Sequence, residues 1–144
     1  MAYAENRITV PRPGPVVYAF LTDLDHITAW IPAVQRVELL AGAAGTVGAE
    51  YEAAVDVGGS LRSGRLTIVR VDPPTGMTMR IAATPIRMTA TVRVDDEGES
   101  SRVTVVLDAP THGLLRLMDG PLQKALQDAL AQLPGLARAI AEQA

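Results

Sequence analysis

The sequence predicts an α+β domain: about seven antiparallel strands whose apolar face is covered by a long C-terminal helix. Three observations carry this. Successive segments between Val34 and Ala109 alternate apolar and polar residues, the pattern of strands solvated on one face and buried on the other. The segments are joined by short Gly- and Pro-rich turns, too short for a crossover helix. After Gly113 the period changes: Leu114, Leu117, Met118, Leu122, Leu126, Leu130 and Leu133 recur at three- and four-residue spacing, the stripe of an amphipathic helix.

The elements follow in order. Asn6 to Pro11 alternates Ile8 and Val10 with Arg7 and Thr9, a short strand. Pro13-Gly14-Pro15 breaks it, and Pro15 suits the first turn of a helix over Pro15 to Leu21. Asp25 is read as the N-cap of a second short helix, His26 to Ile31, ended by Pro32. Val34 to Ala41 is a strand, and Gly42 to Gly48 a flexible connection. Glu50 to Val57 places Tyr51, Ala53, Val55 and Val57 on one face. After the Gly58-Gly59-Ser60 turn, Leu61 to Asp72 is a strand whose inward face the sequence leaves open, since both parities carry apolar residues. Pro73 to Gly76 turns into the Met77–Met79–Ile81 strand. Ile86 to Val94 follows, then the acidic loop Asp95 to Glu99, then the last strand, Ser101 to Ala109. Pro121 fits near a helix start, and Pro134 stops or kinks the helix near Leu133.

Composition bounds the function. A chain of 144 residues is most economically one domain over 1–144. With no Cys, disulfides, thiolate zinc sites and Cys nucleophiles are excluded. The two His are far apart, so no metal-binding spacing exists, and no cofactor is expected. The net charge of -3 and the absence of a basic window argue against nucleic acid. The start of the sequence lacks the apolar core of a signal peptide, and no apolar run is long enough to span a bilayer, so the expected location is cytoplasmic.

The local wording has a family character. Ile8-Thr9-Val10-Pro11 followed by Val16-Val17-Tyr18-Ala19-Phe20-Leu21-Thr22-Asp23, then Trp30-Ile31-Pro32, Gly48-Ala49-Glu50-Tyr51, Val71-Asp72-Pro73-Pro74 and Gly113-Leu114-Leu115-Arg116-Leu117 resemble the START-like (SRPBCC) helix-grip superfamily. That superfamily includes Bet v 1 allergens, START lipid carriers and bacterial polyketide cyclases/dehydrases. The resemblance implies a bent antiparallel sheet gripping a long C-terminal helix, two short helices after the first strand, and a central cavity for a small hydrophobic molecule. None of the motifs is a catalytic signature.

Three readings stay open: a carrier of a polyketide-, lipid- or isoprenoid-like guest; a cyclase/dehydratase acting on such a guest without metal or organic cofactor; and a quinone- or lipid-carrying accessory subunit. The expected ligand-binding wall is Trp30, Tyr51, Ala53, Val55, Met79, Met88, Ala90, Val105, Met118, Leu122 and Leu126. For chemistry the candidates are Tyr51, whose phenol would polarise a carbonyl, and an internal Arg as oxyanion clamp. Arg65 faces in if Val69 and Val71 do, and Arg62 does if Leu66 and Ile68 do. Arg80 and Arg87 fall opposite apolar positions and are expected outside. His26 beside Asp23 is read as a rim residue, and His112 as a solvated loop residue with gating as the sharper alternative. The apolar segment beyond Pro134 is a candidate contact for a membrane or protein partner, and a homodimer is a further reading.

Overall fold

In the computed structural model, the described residues are 2–23, 34–57, 59–83 and 86–110, together with positions 120, 123, 124, 127, 128, 131, 138 and 140. The expected second short helix and Trp30, Met118, Leu122, Leu126, His26 and His112 lie outside them, as does most of the expected C-terminal helix. The described positions from Gly120 to Ile140 are helical.

Strand β1 (Ala2–Val10) is followed by helix α1 (Gly14–Thr22), then β2 (Val34–Ala41), β3 (Glu50–Val57), β4 (Ser60–Asp72), β5 (Gly76–Ala83), β6 (Ile86–Asp96) and β7 (Ser101–Ala109). They form one antiparallel sheet in the order β1-β7-β6-β5-β4-β3-β2. Every link from β2 to β7 is a hairpin, so the meander read from the turns is the observed topology. Only β1 crosses the sheet, to pair with the last strand: Ala4 opposite Leu107, Ile8 opposite Val103. β1 begins four residues earlier than the alternation suggested, because pairing with β7 continues to Ala2 opposite Ala109.

One face of the sheet is buried. Ala4 and Val10 of β1, Val103, Val105 and Leu107 of β7, Val92 and Val94 of β6 and Met77 and Ile81 of β5 form a single apolar cluster with Val17 and Leu21 of α1. Ile140, fully buried, joins it from the C-terminal segment. That segment is also tied to the edge strand β1. The Gln123 side-chain amide accepts a hydrogen bond from the Tyr3 N–H at 2.7 Å and donates one to the Tyr3 carbonyl. It satisfies both backbone groups of one residue, as a neighbouring strand would.

Helix α1 has no side-chain cap of its own at Pro13. The cap comes from the β6–β7 hairpin, where the Asp96 carboxylate accepts from the Gly14 N–H and the Gly98 N–H, both at 3.1 Å. A carboxylate against the open N–H groups of a helix start is favourable by about 1 kcal/mol. Gly14 is required there, since a Cβ would lie 2.7 Å from that of Asp96. The fully buried Ser101 closes the same corner, donating to the Arg12 carbonyl at 2.7 Å.

Tyr18 joins α1 to the β4–β5 turn: its buried hydroxyl donates to the Gly76 carbonyl at 3.1 Å. Burial, then the nearby negative charge of Asp72, raises its pKa above 10.0. The folded state therefore disfavours the phenolate. The contribution of Tyr18 is fully present below the unfolded value of about 10 and is lost as pH rises through the raised folded value. Thermal melts across this alkaline range should show Tm falling, and Tyr18→Phe should flatten that fall while lowering Tm at neutral pH through the lost hydrogen bond.

Candidate functional site

The buried face of the sheet is the candidate site, and strand register sets its layout. One lateral row runs Leu39, Tyr51, Leu66, Ile81, Met88 across β2 to β6. A second runs Ile68, Met79, Ala90, Leu107, Ala4 from β4 to β1. A third runs Met77, Val92, Val105, Asn6. The register thus brings Tyr51 and Met88 into one row and Met79 and Ala90 into the next, with Val105 one row further on. Ala53 and Val55 lie beyond Tyr51 along β3, both buried. Leu66 and Ile68, which belong to the same wall, were not distinguishable from their neighbours by alternation alone.

Size varies along this face. Ala53 stands opposite Gly64, and at Gly64 a Cβ would lie 2.9 Å from the Ala82 carbonyl oxygen, 3.2 Å from Val55 Cγ2 and 3.4 Å from the Ala83 Cβ. Glycine is needed here because another backbone approaches closely. Ala53, Gly64 and Ala83 make a zone of small residues beside the bulkier row of Tyr51, Leu66 and Ile81.

Tyr51 is 5 % exposed. Its hydroxyl oxygen accepts a hydrogen bond from the Gly45 N–H at 3.0 Å. Gly45 has φ +77°, a conformation that glycine adopts without steric cost, and it sits in the β2–β3 connection over the end of the row. The bond uses an acceptor site of the phenol and leaves its proton available to a second group. The part played by Gly45 carried no sequence signal beyond its place in a Gly-rich loop.

Arg65 corrects the sequence reading. Leu66 and Ile68 are fully buried, so alternation turns Arg65 outward, where it is exposed and stands opposite Glu52. Arg62 has the parity of Leu66 and stands opposite Val55, but it is exposed at the end of the strand. Arg80 and Arg87 are exposed as well. Asp23 ends α1 in an extended conformation and is exposed. Among the described residues no group of His, Cys, Asp or Glu is arranged to hold a metal ion, and no helix is long and apolar enough to cross a membrane.

At the β1 edge, Asn6 is half-buried at the end of its row. It lines a groove of about 470 Å³ with Tyr3, Ala4, Glu5, Gln127 and Ala131. This is where the C-terminal segment meets the sheet.

Residues 1–138 match the family model described as polyketide cyclase / dehydrase and lipid transport. The chain belongs to this family. Its fold is the helix-grip fold of the family's wider superfamily. A START superfamily protein from Mycobacterium smegmatis superposes with a TM-score of 0.79 at 12% identity, covering 100% of both chains. The Zhui aromatase/cyclase from a Streptomyces species gives 0.75 at 17%, covering 98% of this chain and 94% of that one. Norcoclaurine synthase from Thalictrum flavum, in complex with dopamine and hydroxybenzaldehyde, gives 0.70 at 12%, covering 99% and 87%. At these identities the likeness speaks for the fold. A search of curated proteins found no match.

Proposed function

We propose that the protein binds a small hydrophobic molecule, of polyketide, lipid or isoprenoid character, between the buried face of the sheet and the C-terminal segment. The observation that carries this is the continuous apolar wall of Leu66, Ile68, Met79, Ile81, Ala90 and Leu107, with the Tyr51 phenol in one row. Burying roughly 250 Å² of the guest's own apolar surface at ~25 cal/mol per Å² gives ~6 kcal/mol before entropic losses. Membership of a cyclase/dehydrase and lipid-transport family supports the same reading.

Carriage is favoured over chemistry because Arg65, the candidate oxyanion clamp, points away from Tyr51. One observation supports the enzyme reading: the Tyr51 hydroxyl, held by Gly45, keeps a proton to donate to a carbonyl oxygen. Tyr51→Phe separates the two. With 1-aminoanthracene as a fluorescent apolar probe, displaced by fatty acids or quinones, carriage predicts that the variant keeps its affinity within about threefold. A loss of tenfold or more, about 1.4 kcal/mol, would show that the phenol grips a polar group of the guest and would shift the balance towards carbonyl chemistry.

A further inference from the structure

The large apolar side chains left at the surface are not scattered evenly. Among the described residues six are exposed, and three of them lie at one end of the sheet, where β2 runs into the β2–β3 connection: Leu39 at 42%, Leu40 at 47% and Val47 at 61%. A register shift between Leu39 and Ala41 breaks the alternation of the strand, so two consecutive leucines both stay exposed. From Leu39 to Ala49 the chain carries no charge, and Glu38 and Glu50 bound the stretch. Ala41, Ala43 and Ala44 within it are exposed as well. Contiguous apolar surface of this kind marks a contact with a partner or a membrane.

The polar groups of the connection are turned back on the protein. The Thr46 N–H donates to the Ala43 carbonyl and the Ala49 N–H to the Thr46 carbonyl, both at 3.1 Å. The Gly48 N–H donates to the Ile68 carbonyl at 2.8 Å, and the Gly45 N–H to the Tyr51 hydroxyl at 3.0 Å. Thr46 has the one polar side chain of the stretch, and its hydroxyl donates to the Ala43 carbonyl at 2.6 Å. A segment that leaves water for an apolar medium must hold its hydrogen bonds internally.

We propose that this tip docks on a lipid surface, with Leu40 and Val47 entering the boundary between headgroups and acyl chains. Entry desolvates no charge, the hydrogen bonds above are kept, and the apolar side chains gain by burial. A protein partner fits the stretch less well. Such contacts are anchored by Trp, Tyr and Arg, and the stretch has none of them. With no Lys or Arg in it, the docking is apolar rather than electrostatic, so it depends neither on anionic lipid nor on salt. It goes beyond the ligand reading above and does not depend on it.

Flotation of the full chain with vesicles of phosphatidylcholine alone tests the proposal. The wild type should float with the vesicles, in a fraction that rises with lipid and is unchanged at molar salt. Val47→Asp and Leu40→Asp, both at exposed positions, should each lower the partition coefficient by about tenfold or more, with unchanged thermal melts. Leu61→Asp serves as the control: Leu61 is 67% exposed, but on the β3–β4 hairpin at the other end of β3, and its replacement should leave flotation as it is. A wild type that stays with the lipid-free fraction at the highest lipid concentration would overturn the proposal. So would flotation that molar salt abolishes, that both folded Asp variants at the tip retain, or that Leu61→Asp reduces equally. Self-association of the wild type without flotation, lost in Val47→Asp, would assign the tip to a second copy of the chain and overturn the lipid assignment.

Discussion

Leu66→Ala is expected to lower the free energy of unfolding by about 3 kcal/mol, with a fall in Tm of roughly 10 °C. Leu66 is fully buried, at 0% accessible, and sits between Tyr51 and Ile81 on paired strands. Truncation removes the transfer free energy of three carbons, and the flanking strands are hydrogen-bonded on both sides, so collapse into the gap is limited. Urea unfolding followed by circular dichroism reads the effect. A loss below about 1 kcal/mol would show that this part of the wall is far more yielding than its burial indicates.

Gly64→Val is expected to destabilise by about 3 kcal/mol, against the ordinary sign for a strand. In a typical strand, replacing Gly with a β-branched residue is favourable, because Gly is flexible and contributes nothing to packing. At Gly64 packing wins. The new Cβ would sit 2.9 Å from the Ala82 carbonyl oxygen and 3.2 Å from Val55 Cγ2. The first of these is backbone and is fixed by the sheet. Overpacking of this kind typically costs 1–3 kcal/mol, and Val adds two methyl groups to the clash. Gly64→Ala should fall between the wild type and Val in the same urea series. An increase in stability for either variant would contradict the close approach of β4 and β5.

How much of this was legible in the sequence depends on whether neighbours along the chain or across the sheet decide a feature. The bounds of β3 and β7 matched their alternation because one parity is apolar and the other largely polar: Val103, Val105 and Leu107 against Arg102, Thr104 and Asp108; β2 mixes apolar and polar residues in both parities, and its bounds follow from the Pro and Gly residues on either side. β4 resisted because Leu66 and Ile68 compete with Val69 and Val71 for the inward side. Pairing of Leu66 with Ile81 and of Ile68 with Met79 decides it, and that contact is absent from any local window. The outward turn of Arg65 follows from the same pairing, and Arg62, the other arginine considered for chemistry, has the inward parity but is exposed at the strand end. The capping of α1 by Asp96 was equally out of reach, because donor and acceptor lie 82 positions apart. Tyr51 was visible from its strand, whereas the Gly45 N–H that holds its hydroxyl comes from a connection of Gly, Ala, Thr and Val with no pattern to read.

Native mass spectrometry of freshly purified protein reads directly whether the apolar face holds a small hydrophobic guest. Discrete additional masses on the folded chain, released by organic denaturation, are expected, or, for protein stripped of its guest, one-to-one uptake of added fatty acid or quinone. A chain that shows only its own mass and takes up neither class of compound, while remaining folded by circular dichroism, would contradict it.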